Sequence, residues 1–275
     1  MTDADFDYPT DTQGVSSALG AWGAAWQAGR CSPDDVLDVL GWWSARHRAL
    51  AADAIAAQSL SLSPRGEESD ALLRLVRGGS SAQGLAVLLV APGDMLGLPP
   101  RGPITNAALE SGELLVVPGR YALVPRRLDR YTIGWGVHTV ETAMIPVIHS
   151  LGAVEYDLRE GIRSAADLLD GLRMPRSTAT DSLTDPRKKV AELTRLAAQQ
   201  LPPGVNARAE RILEQAAHVA AILSVAQQAA PDFGYSVGEQ HTGDSALRDL
   251  ARTVRVARMS ATNAVISELL SNNRV

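Results

Sequence analysis

The chain has 275 residues, 45% of them apolar and 21% charged, which is enough to bury a sizeable core and too apolar for a disordered protein. Its net charge of −5 gives no electrostatic pull toward nucleic acid or anionic membrane. The single cysteine, Cys31, excludes an internal disulfide and Cys-based zinc sites.

Residues 1–13 are polar and acidic, with Asp3, Asp5, Asp7 and Asp11, and read as a disordered tail rather than a secretory signal. With one cysteine, this points to a cytoplasmic protein. Residues 15–28 carry Leu19, Trp22 and Trp26 at helical spacing, weakened by Gly20 and Gly23. The next helix starts at an N-cap Ser32 with Pro33, Asp34 and Asp35 in its first turn. It is expected to run to about Ala57, with Val36, Leu40, Trp43 and Leu50 along one side. A polar loop and a short helix over 69–76 follow.

Residues 84–90 are a continuous apolar run bounded by Gly and Pro, the pattern of a buried strand, and too short to span a membrane. Residues 91–103 are so rich in Pro and Gly that they form an ordered loop or a linker. A helical turn over 104–111 leads to strands at 113–117 and 120–125, joined across Pro118-Gly119, and to an alternating strand within 131–142.

From Val154 the period becomes helical. Helices are expected over 154–172, 185–200, 206–229 and 244–270, separated by a polar linker at 173–184 and loops at 201–204 and 231–243. The fold class is α+β: a small, mainly antiparallel sheet with flanking helices over 14–172, then an antiparallel helical bundle over 185–275.

The chemistry-bearing residues form no recognised catalytic constellation. His-Glu-x-x-His, the Walker sequence, Gly-x-Gly-x-x-Gly and Gly-x-Ser-x-Gly are all absent, and neither a cofactor nor a metal is implied. Loops beyond strand ends commonly hold ligands, so the loop at 92–103 is the place to look. Asp94, Arg101 and Asn106 are its polar groups, with His138 and Glu141 as residues that would converge on it. The plainer reading of that loop is a rigid turn. Cys31 precedes a helix N-terminus, where a thiolate would be stabilised.

Trp22, Trp26, Trp42 and Trp43 are candidate interaction residues, since tryptophan is enriched at interfaces. About 100° separates Trp42 from Trp43 on a helix, which places one toward the core and the other at its border. The last helix carries Arg248, Arg252, Arg255 and Arg258 at intervals that make a basic stripe. Such a stripe meets phosphates or an acidic partner, and more often is a solvated face. Arg126, Arg127 and Arg130 form a second small cluster.

The stretch Gly93-Asp-Met-Leu-Gly-Leu-Pro-Pro-Arg-Gly-Pro103, followed by Asn106-Ala-Ala-Leu-Glu-Ser-Gly-Glu113 and Leu123-Val-Pro125, resembles a group of uncharacterised actinobacterial proteins. These share a Gly-Asp-x-x-Gly-Leu-Pro turn and a helical C-terminal part. The resemblance implies an actinobacterial origin and carries no activity.

The function expected from the sequence is a non-enzymatic interaction or regulatory protein with a helical docking surface, working with a protein partner or as a homo-oligomer. One rival is a small-molecule binder or enzyme using the loop at 92–103. The other is nucleic-acid binding through the arginine stripe.

Overall fold

The computed structural model describes residues 8–9, 11–63, 66–78, 84–95, 97–140, 144, 149–171, 186–197, 201–228 and 237–271. In chain order the elements are α1 (Val15–Gln27), α2 (Pro33–Leu40), β1 (Arg46–Ala51), α3 (Ala54–Ser59), α4 (Ser69–Arg77), β2 (Ala86–Leu89) and α5 (Pro103–Ser111). Then come β3 (Glu113–Val117), β4 (Tyr121–Asp129), β5 (Thr132–Thr139), α6 (Leu151–Gly171), α7 (Pro186–Ala197), α8 (Ala207–Gln228) and α9 (Val237–Ser271). The fold is α+β. Two compact units divide the chain: Met1–Ile148 with Gln200–Asn206 and Thr262–Val275, and His149–Gln199 with Ala207–Ala261.

The long helix expected from Ser32 to Ala57 does not form. Its start is as read, with a reciprocal capping box in which Ser32 Oγ accepts from Asp35 N and Asp35 accepts from Ser32 N. It ends at Leu40, and Trp42 and Trp43 lie in turns rather than on a helix. Arg46–Ala51 becomes β1 and pairs with β5 in parallel. Its Arg, Ala and Leu residues are good helix formers, so pairing overrides local preference here. Asp53, inside the expected helix, instead caps α3 by accepting from Ala56 N at 2.7 Å.

The expected small, mainly antiparallel sheet is corrected by the parallel strand to a five-stranded mixed one. The order is β1-β5-β4-β3-β2, with every pairing except β1–β5 antiparallel. α9 also begins seven residues earlier than the expected start at 244, running on through Gly243.

One face of the sheet carries α1. Gly20 and Gly23, read as weaknesses of that helix, are where it fits its neighbours. A Cβ at Gly20 would stand 2.9 Å from Ile266 Cδ1 and 3.0 Å from Val87 Cγ2, and one at Gly23 only 2.5 Å from Val76 Cγ1. The start of α1 has no local side-chain cap. The buried Glu113 carboxylate of β3 supplies one, accepting from Gly14 N and Ser16 N at 2.7 Å each. On the same side the Tyr121 hydroxyl donates to Leu75 O of α4 at 2.7 Å.

His47 is fully used in this core. Indole nitrogen only donates, so Trp135 Nε1 donates to His47 Nδ1 at 3.1 Å and the imidazole donates through Nε2 to Leu40 O at 3.0 Å.

Both sheet edges are met by other segments of the same chain. At β2, Asn263 mimics a neighbouring strand: Val87 N donates to its Oδ1 at 2.7 Å and its Nδ2 donates to Val87 O at 2.8 Å. At β1, Ala49 and Glu67 exchange backbone bonds of 2.9 and 2.8 Å. Such cover removes an aggregation template.

In the second unit α8 packs against α6 and α7. Val154 and Leu158 of α6, Ile212, Leu213 and Ala216 of α8, and Leu250 and Val254 of α9 are buried. Gly161 lets Leu250 and Thr253 approach to 3.4 Å of where a Cβ would stand. Glu155 of α6 pairs with Arg208 at 2.8 Å and with Arg159. Among the described residues no helix is long and apolar enough to cross a membrane.

Candidate ligand cleft

β5 is an inner strand between β1 and β4, so its side chains alternate between the two faces of the sheet. Ile133, Trp135 and Val137 are buried in the core. Gly134, Gly136 and His138 fall on the opposite face. A cleft of about 520 Å³ runs past the latter two, within the ~300–1,000 Å³ range of small-molecule sites. Leu50 and Ala51 of β1, Val124 to Arg127 of β4, and Ala107, Glu110 and Ser111 of α5 line it, with Asp11 to Gln13 ahead of α1.

Its shape follows from where a ladder stops. β3 pairs with β4 only through Leu123. The next positions would set Pro125 opposite Glu113, and proline has no N–H to give. β4 continues to Asp129 paired only with β5, leaving room beside Pro125, Arg126 and Arg127.

The two glycines of β5 differ in what surrounds them. A Cβ at Gly134 would lie 2.6 Å from Leu50 Cδ1 and 2.9 Å from Leu128 Cδ1, so a side chain there would have to displace both leucines. A Cβ at Gly136 would meet nothing closer than His138 Nε2 at 3.4 Å and Val124 O at 3.7 Å. A methyl group fits at Gly136 without strain, and its absence keeps the floor of the cleft open. Glycine inside a strand marks a bulge, a tight bend or the close approach of a ligand or another backbone, and the β4–β5 register is regular at Gly136.

Burial pushes the His138 imidazole below its usual range, partly offset by the Asp53 carboxylate, so at neutral pH it both donates and accepts. Burial works to raise Asp53. Hydrogen bonds from Ala56 N, Thr139 N (2.9 Å) and Thr139 Oγ1 (3.0 Å), with His138, outweigh it and hold the carboxyl low. Arg127 is a structural clamp, donating to Trp43 O at 2.9 Å, Arg130 O at 3.2 Å and Asp11 O at 3.4 Å. Arg126 and Glu110 are exposed at the cleft.

Of the residues singled out in sequence, His138 lines this cleft, whereas Asp94, Arg101 and Asn106 do not. Glu141 lies outside the described residues. Asp94 sits in a turn closed on Ala91, with bonds of 2.9 and 3.1 Å. Arg101 and Asn106 are exposed, and the loop is tied down by Thr105 Oγ1 donating to Pro99 O at 2.9 Å.

Trp43 is buried and its Nε1 donates to Gln13 O at 3.1 Å. Trp22, Trp26 and Trp42 are half-buried, with the Arg77 guanidinium 5.9 Å over the Trp26 ring. On α9, Arg248 and Arg252 are exposed and Arg255 and Arg258 half-buried. The Cys31 thiol is pushed up by burial and by the Asp35 carboxylate, opposite to the stabilised thiolate that its place before α2 implied. No three His, Cys, Asp or Glu side chains among the described residues form a metal-holding group.

Sequence reading missed Gly136, Leu50 and Glu110. The available signal was Gly134-Trp-Gly136, two glycines on one face of a strand.

Residues 16–148 match the N-terminal domain of the Rv1486c-like protein, and residues 152–259 its C-terminal domain. The chain is 32% identical to the uncharacterized protein ML1804 of Mycobacterium leprae, over 91% of this chain and 97% of that one. It is also 32% identical to the uncharacterized protein Rv1486c of Mycobacterium tuberculosis, over 91% and 96%. No solved structure matches it. The two domain matches and the near full-length relatives place the chain in the Rv1486c-like protein family.

Proposed function

We propose that this protein binds a small molecule in the cleft over Gly136 and His138. The observation that carries the reading is Gly136 itself. Stability alone favours a larger residue in a strand interior, by about 0.5–1 kcal/mol for alanine over glycine. The surroundings accept that residue without strain, so glycine here serves an open floor rather than packing. The reading keeps the small-molecule expectation and moves it from the loop at 92–103 to the sheet. A thermal-shift screen against a metabolite panel tests it. A ligand that raises the melting temperature of the wild type and not of Gly136→Val supports the cleft; a ligand acting equally on both counts against it.

Docking through the helical unit is the second reading. Tyr156 on α6 is 65% exposed and Ile222 on α8 is 45% exposed, the large apolar side chains among the described residues of this unit that a partner would cover. In that reading α7, α8 and α9 form an antiparallel bundle. The protein works in the cytoplasm, in keeping with its single cysteine. Size-exclusion chromatography with light scattering on wild type and Tyr156→Ser tests self-association. A strict monomer in both removes the homo-oligomer form of the idea.

A further inference from the structure

We infer that the cleft takes a dipolar small molecule carrying both a carboxylate and an ammonium group, of the α-amino-acid kind; this rests on the ligand-binding reading above. The warrant is the placement of charge. Arg126 stands on the β4 wall and Glu110 on the α5 wall of one cleft, both exposed. Among the described residues neither forms an ion pair or a side-chain hydrogen bond. Their opposite charges therefore face the cleft from separate walls without neutralising each other.

Arg127 adds positive charge on the Arg126 side, although carbonyl oxygens occupy its guanidinium. Asp11 lies beside Arg127, which donates to its carbonyl, and its carboxylate offsets that guanidinium, so Arg126 and Glu110 set the polarity of the cleft. A purely anionic ligand would meet the Glu110 carboxylate, and a purely cationic one would meet the Arg126 guanidinium. Like charges across a contact are disfavoured. A molecule with both signs satisfies both walls, with its carboxylate forked by the Arg126 guanidinium and its ammonium at Glu110.

Between these poles the floor is small and apolar: Leu50, Ala51, Ala107, Val124 and the bare Cα of Gly136. That suits a compact aliphatic body. The neutral His138 imidazole, with Nε2 3.4 Å from the empty Cβ position of Gly136, adds one donor or acceptor beside it.

The probes are the twenty standard amino acids, each titrated into the full chain and read by thermal shift and protein NMR. For the best binder, its N-acetyl derivative lacks the ammonium and its methyl ester lacks the carboxylate. The parent is expected to saturate, with both derivatives at least tenfold weaker. Glu110→Gln should weaken the parent tenfold or more while leaving the N-acetyl form unchanged. Arg126→Gln should weaken the parent and leave the methyl ester unchanged. Both variants alter exposed side chains, so they keep the test open should Gly136→Val fail to fold. Derivatives that bind as well as the parent overturn the inference. So does a panel in which no amino acid saturates. In that case another metabolite acting through Gly136 would preserve the cleft and remove only the ligand class. If no metabolite acts through Gly136, both fall.

Discussion

Acidification should loosen the first unit through His47, and the size of the effect follows from its surroundings. The imidazole is buried between a donor, Trp135 Nε1, and an acceptor, Leu40 O. A second proton would turn Nδ1 into a donor facing a donor. Burial first, with Arg127 adding to it, pushes the folded value down from 6.5 to about 4, against the hydrogen bonds to Leu40 and Ser44. As pH falls through 6.5 the unfolded chain takes up this proton, while the folded chain refuses it until about pH 4. The unfolded state therefore binds more protons in that window, and stability falls with pH. The full loss is roughly 3 kcal/mol, of which about 2–3 kcal/mol has appeared by about pH 4.5. All five tryptophans lie in this unit, so urea unfolding followed by tryptophan fluorescence reports on it alone. His47→Gln does not titrate. Wild type should lose about 2–3 kcal/mol more than the variant between about pH 7.5 and 4.5. Equal losses in the two proteins would refute the reasoning.

Four further outcomes are expected. Glu113→Ala removes the acceptor of two backbone N–H groups at the start of α1 and should lower stability by roughly 2–4 kcal/mol in urea titrations. Asn263→Ala uncovers Val87 at the β2 edge; a loss of about 2–4 kcal/mol, with concentration-dependent aggregation on heating, should appear in melts read by light scattering. Gly134→Ala should destabilise, since its methyl meets Leu50 and Leu128, whereas Gly136→Ala should be neutral or stabilising; equal effects in paired melts would contradict the description of the two sites. The thiol of Cys31, held protonated by burial and Asp35, should react with iodoacetamide at neutral pH more slowly than free cysteine. Faster reaction would contradict that picture.

Where local chemistry and tertiary structure agree, the sequence was readable. The apolar run before Pro92, the Pro118-Gly119 turn and the alternation around Trp135 mark β2 to β5. Ser32 with Pro33 marks the start of α2, down to its capping box. β1 was not legible because Arg-His-Arg-Ala-Leu-Ala has no β-branched residue, and only its pairing with β5 makes it a strand. The non-local caps were invisible for a related reason. Glu113 serves a helix 97 to 99 residues away and Asn263 a strand 176 residues away. No spacing rule reaches so far. Of the site, His138 was legible as an isolated histidine on a strand. The cleft was not, because it depends on a missing ladder beside Pro125 and a missing side chain at Gly136. Both are absences that acquire meaning only once β3, β4, β5 and α5 are in place.

The imidazole of His138 reports most directly on the central claim, because its Nε2 faces the open floor at Gly136. Its Cε1–H resonance, assigned by loss in His138→Gln, can be followed while metabolites are titrated into the protein. The account predicts at least one small molecule that shifts this resonance saturably in the wild type and leaves it unmoved in folded Gly136→Val. A resonance that no metabolite moves, or that moves alike in both proteins, would contradict it.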